Sequence, residues 1–140
     1  MLKTRLLHPQ ILEALGEAGH GAQVLIADGN YPLATRSAHT AKRVYLNLAP
    51  GLVTVTDVLA VLAESIPIEA AHVMTPDSGD EPPIFEEFRA ILPGMALQVH
   101  GRWDFYDLAR TQDTALAIST GEERIYANIL LTIGVVPPKR

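Results

Sequence analysis

Two uninterrupted apolar runs constrain this chain more than anything else in it. Val24-Leu25-Ile26-Ala27 and Ile129-Leu130-Leu131 carry no polar residue. A strand with one wet face alternates apolar and polar side chains; a continuous run reads as a strand buried on both faces. The sheet that holds such strands needs a covering layer on each side. Helical patterns supply the cover. His8-Pro9-Gln10 opens a helix, with Pro9 suited to a first turn. Ile11, Leu12, Leu15 and Ala18 follow at helical spacing. Further helices are expected over Asp57 to Glu64, Ile84 to Leu92 and Asp104 to Gln112. Further strands are expected over Arg43 to Leu48, Ile68 to Met74, Met95 to His100, Ala115 to Thr120 and Tyr126 to Ile133. Strands alternating with helices predict an α/β fold. The two consecutive strands at the end break the alternation. The expected architecture is therefore a single-domain layered α/β/α unit, residues 1–140, with a mixed, mostly parallel sheet.

Composition narrows the function classes. Hydrophobic residues make up 48% of the 140, and charged residues 19%, which excludes a disordered chain. The net charge is −5 and the basic residues are scattered. Nucleic acid is not an expected partner, because phosphate binding needs a concentrated basic surface. There is no cysteine, which removes disulfide and thiolate chemistry and Cys-rich zinc sites. No apolar window approaches the roughly 18 residues that span a bilayer. The N-terminal stretch lacks the apolar core of a signal peptide. A cytoplasmic protein without a membrane partner is expected.

Several polar residues stand where buried strands begin or end. Asp28 follows the first apolar run, in the turn signal Asp28-Gly29-Asn30. Ligands of open α/β sheets collect beyond the carboxyl ends of strands, so Asp28 is well placed. His20, in Gly19-His20-Gly21, lies at the other end of the same run. One subunit does not obviously bring the two together, which suggests a site completed by a neighbour. The bland alternative is a surface histidine and an aspartate that caps its own turn. Arg102 stands beside Trp103, where a guanidinium is pre-organised to donate to hydroxyls. A salt bridge to Asp104 or Glu123 is the competing reading. Tyr126 and Asn128 flank Ala127 at strand spacing and would share a face. Their partners would be a ligand or backbone groups. Together these five side chains suit a small polyhydroxylated ligand and metal-free proton transfer. No His-Glu-x-x-His pattern supports a metal site, and Gly19-x-Gly21 lacks the third glycine of a dinucleotide fingerprint. No cofactor is expected. His72 reads as a hydrogen-bonded core histidine, and His100 has no evident partner.

These residues also resemble a known family. Leu-Gly-Glu-Ala-Gly-His-Gly at 15–21, Asp28 after its strand, Ile68-Glu69-Ala70-Ala71, Thr120-Gly121-Glu122 and Tyr126-Ala127-Asn128-Ile129-Leu130-Leu131 are together similar to the ribose pyranase / fucose mutarotase family. The resemblance runs over nearly the whole chain. It implies a small α/β protein assembled into a ring, a decamer or similar, with sites between subunits. It implies a cofactor-independent isomerase acting on a free monosaccharide. By position, His20 is the implied catalytic acid, and Asp28, Arg102, Tyr126 and Asn128 the implied substrate-binding residues. Arg102, in Arg-Trp-Asp-Phe-Tyr, is similar to the fucose branch, so an L-fucose mutarotase is the first expectation. A D-ribose pyranase or a non-enzymatic sugar-binding module is the alternative.

Overall fold

A computed structural model describes residues 1–139. Six strands form one sheet: β1 (Gln23–Ala27), β2 (Lys42–Tyr45), β3 (Ile68–Met74), β4 (Leu97–His100), β5 (Thr114–Ser119) and β6 (Ile129–Ile133). Their order is β2-β5-β1-β6-β3-β4. Only β6 runs antiparallel, pairing with β1 on one side and β3 on the other. The remaining pairs are parallel. The mixed, mostly parallel α/β sheet read from the sequence is the sheet observed.

The sheet is covered on both faces, as the apolar runs require. Helices α1 (Pro9–Glu17), α2 (Val55–Ala63) and α3 (Ile84–Ile91) pack over Val24, Ile26, Val73, Leu116, Ile118, Ile129 and Leu131. On the other face α4 (Arg102–Ala109) and the segment 28–41 cover Leu25, Ala27, Met74, Ala117 and Leu130. The central strands alternate between the two cores residue by residue, and all five residues of β1 are buried.

Local chemistry sets the helix ends. His8 caps α1, its Nδ1 accepting from the Ile11 N–H at 3.4 Å, and proline occupies the first turn. A reciprocal box starts α2: Thr54 Oγ1 accepts from the Asp57 N–H, and the Asp57 carboxylate accepts from the Thr54 N–H. A second acid serves the same helix end from far away in sequence. Glu122, 3% exposed, accepts from the Val55 N–H at 3.2 Å and from Arg124 Nε at 2.9 Å. Burial alone would raise the Glu122 pKa. The hydrogen bonds and charge of Arg124 outweigh it, and the net displacement is downward. The folded state therefore favours the ionised carboxylate. That stabilisation is present at neutral pH and is lost as pH falls through the folded pKa. Glu122→Gln is expected to be less stable than the parent in urea at pH 7. The gap should close below the ordinary glutamate range, and a gap of equal size at both pH values would contradict this.

Several sequence boundaries move. The second strand stops at Tyr45, and the fourth helix starts two residues early, at Arg102. The last strand begins at Ile129 rather than Tyr126. The reason is conformational. Tyr126 has φ 55°, the left-handed region, and the Ala127 N–H donates to the Asp28 carboxylate instead of to a neighbouring strand. The expectation that Tyr126 and Asn128 share a strand face is therefore incorrect. His72 is also not a core residue: it is half-buried and bonded to His100.

Candidate functional site

The five parallel strands all point the same way, and β6 starts where they end. The topology thus gathers Asp28 after β1, Met74 at the end of β3, Arg102 after β4, and Tyr126 and Asn128 before β6. This is the carboxyl edge at which open α/β sheets bind ligands. A cavity of about 290 Å³ lies there, lined by Asp28, Asn30, Tyr31, Met74, Arg102, Tyr106, Ile125, Tyr126 and Asn128. Four of the five residues singled out from the sequence share it.

Asp28 is the organising group. One carboxylate oxygen accepts from the Asn30 N–H at 3.0 Å and the other from the Ala127 N–H at 3.2 Å. The Asp28 N–H in turn donates to Asn128 Oδ1 at 2.8 Å. Two loops nearly a hundred residues apart are thereby tied together. Burial raises the Asp28 pKa, and the backbone donors at Asn30 and Ala127 oppose that rise. The tie also holds Tyr126 in its left-handed conformation, which costs a non-glycine residue roughly 1–3 kcal/mol. Since Asn128 Oδ1 is occupied, its NH₂ group is the part left to donate to a ligand. Thr120 ties the end of β5 to β1, donating from its hydroxyl to the Ala27 carbonyl at 2.8 Å.

Opposite stands an aromatic and cationic wall. Arg102 Nε donates to the Tyr106 hydroxyl at 3.2 Å, and the guanidinium lies 4.8 Å from the Trp103 ring centre. It makes no salt bridge with Asp104 or Glu123, so the competing sequence reading is not realised. As the first residue of α4 its charge opposes the helix dipole, typically a loss of about 0.3–1 kcal/mol. Its position does not serve the helix. Arg36 stacks on the same two rings from the loop, 5.4 Å from Trp103. Tyr31 donates to the Arg36 carbonyl at 2.7 Å, and burial pushes its pKa well above the ordinary tyrosine value. The cavity can thus offer a guanidinium, phenols, an amide and a buried carboxylate to a hydroxyl-rich molecule.

His20 lies elsewhere. It stands before β1, and the five residues of β1 span about 17 Å between it and Asp28. There its Nε2 faces both oxygens of Glu69, at 3.0 and 3.1 Å. The imidazole is 58% exposed, so the pair presents an acid–base group to the outside. Within one subunit the structure does not bring His20 to the other four residues. Among the described residues, no group of three or more histidines and acids could hold a metal ion. Among the described residues, no helix is long and apolar enough to cross a membrane.

Sequence reasoning missed Glu69, Tyr31, Arg36 and Tyr106. Tyr106 carried a signal, lying one helical turn after Arg102. Glu69 stands only within the resemblance-bearing Ile68-Glu69-Ala70-Ala71, and nothing near it points to its partner, 49 residues away.

Fold and cavity together define a class: a three-layer α/β protein with a polar, hydrogen-bonding pocket at the carboxyl edge of its sheet. The chain belongs to the RbsD / FucU transport protein family, whose model matches residues 1–136. It is 32% identical to the D-ribose pyranase of Paracidovorax citrulli, over 96% of this chain and 98% of that one. It is 27% identical to the fucose mutarotase of Bos taurus, over 96% and 92%. Among solved structures, Bacillus subtilis RbsD complexed with D-ribose superposes with TM-score 0.83 at 25% identity, covering 98% of this chain and all of that one. The fucose mutarotase of Streptococcus pneumoniae in complex with L-fucose gives 0.80 at 30% identity, covering 97% and 100%. The family thus contains sugar pyranases and mutarotases, and these two solved members are complexed with a sugar.

Proposed function

We propose that this protein interconverts the α and β anomers of a free monosaccharide such as L-fucose, without a cofactor. The observation that carries the reading is the division of labour in the subunit. The hydroxyl-binding cavity is at one end of β1, and an exposed imidazole held by a carboxylate is at the other. A ring of subunits in which the His20–Glu69 end of one meets the cavity of the next completes a site. His20 is then the catalytic acid, and Asp28, Arg102, Tyr126 and Asn128 bind the sugar.

The chemistry balances with His20 and water. The anomeric hydroxyl gives its proton to a water molecule, the bond from C1 to the ring oxygen breaks, and the ring oxygen gains a proton from His20. The open aldehyde turns about its C1–C2 bond. The hydroxyl formed from the ring oxygen then adds to the other face of the carbonyl, its proton returns to His20, and the carbonyl oxygen takes a proton back from the water. An imidazole can both donate and accept a proton, so it serves both directions. Arg102 beside its aromatic pair supports the fucose reading. A second reading, D-ribose pyranase, is favoured by the higher identity to the Paracidovorax citrulli enzyme. It uses the same site, with closure through a different hydroxyl.

Two experiments test the shared site. Mixing subunits carrying His20→Gln with subunits carrying Asp28→Asn, after unfolding and reassembly, is expected to restore part of the lost activity. No recovery in a correctly sized mixed assembly contradicts a site built from two copies. Glu69→Gln is expected to lower kcat by up to about fivefold, since an exposed charge pair is worth up to about 1 kcal/mol. KM should hold, because Glu69 acts through His20 and touches no sugar. A rise in KM at constant kcat would make Glu69 a binding group instead.

A further inference from the structure

We propose that His72 and His100 form a two-nitrogen chelating site for a divalent transition metal of the imidazole-binding class, with Cu(II) held most tightly. The pair has no part in the sugar site described above. His72 lies on β3 and His100 on β4, the edge strand. In the parallel ladder His72 stands opposite Gln98, and Met74 opposite His100. Both imidazoles therefore project from the same sheet face on adjacent strands, two residues apart in register. His72 Nδ1 and His100 Nε2 are 2.9 Å apart, with ring centres 5.0 Å apart and planes 42° apart.

That spacing suits a metal as well as a shared proton. Two metal–nitrogen bonds of about 2.0–2.1 Å meeting at a right angle separate their nitrogens by about 2.9 Å. A right-angled bite belongs to tetragonal Cu(II) and Ni(II), and Cu(II) leads the affinity order for nitrogen sites. Binding replaces the N–H···N proton by the metal once each ring turns by about 45°, which swings the two nitrogen lone pairs off the line between them onto one point. Water fills the remaining positions, because no third acidic or histidine ligand is at hand among the described residues. Both rings are half-buried, so they are held and still reachable.

The site also has a structural reach. His100 is the last residue of β4, Gly101 follows, and Arg102 opens α4 at the sugar cavity. A metal that ties β4 to β3 fixes the edge strand that leads into Arg102.

The test is a Cu(II) titration of the parent protein at pH 7, followed by electron paramagnetic resonance. One site with hyperfine structure from two nitrogens is expected. His72→Gln and His100→Gln should each weaken it at least roughly tenfold, the lower end of what disturbed metal sites lose. His39→Gln should leave it unchanged. Zn(II) should slow amide exchange in β4 of the parent and not of the double variant. Equal Cu(II) affinity in parent and double variant, or a single-nitrogen spectrum in the parent, overturns the proposal. Circular dichroism of each variant separates ligand loss from misfolding.

Discussion

His20→Gln is expected to lower catalysed anomer exchange by roughly 10²–10⁴-fold, the usual share of positioned proton transfer. Glutamine keeps a hydrogen-bonding side chain beside Glu69 and cannot deliver a proton at neutral pH. The fold should be untouched. His20 is exposed, and its side chain bonds only to Glu69 among the described residues. Surface changes of this kind usually stay within about 0.5 kcal/mol. Exchange rates measured by NMR, beside urea denaturation of the same samples, separate the two effects. Full activity in the variant would remove His20 from the mechanism.

Asp28→Asn should strike both function and stability. Each carboxylate oxygen of Asp28 accepts from a backbone N–H on a different loop. An amide can serve one of them; at the other, its NH₂ faces a donor. A buried donor left without a partner costs about 1–3 kcal/mol. The loss falls on the tie that holds Tyr126 left-handed. Sugar affinity should therefore drop together with stability, whereas His20→Gln lowers rate alone. Urea denaturation and sugar titration of the two variants check this contrast. A fully stable Asp28→Asn with parental affinity would show that the two loops need no carboxylate between them.

The fold was legible because burial dictates pattern. Val24 to Ala27 has no polar face to turn outward, and the observed strand has none exposed. Asp28 was legible for a related reason: a carboxylate just past a buried strand falls on the ligand-binding edge. Tyr126 and Asn128 were legible as residues but not in their geometry. Strand spacing placed them on one face, yet the left-handed turn at Tyr126 depends on a carboxylate nearly a hundred residues earlier. Pairings across strands stayed hidden in the same way. Nothing near Glu69 points to His20, and nothing near His72 points to His100 28 residues on. Arg102 shows the opposite limit. Its nearby acids suggested a salt bridge, and packing instead set it against Trp103 and Tyr106.

The central claim is catalysed ring opening of a free sugar at this site. Its most direct test is NMR magnetisation exchange between the anomeric signals of L-fucose, and of D-ribose, with and without the protein. The account predicts faster α/β exchange of L-fucose in its presence. Acceleration of D-ribose pyranose–furanose exchange alone would shift the substrate to the second reading. Sugar that binds but exchanges at the buffer rate, for both, would contradict the enzymatic account.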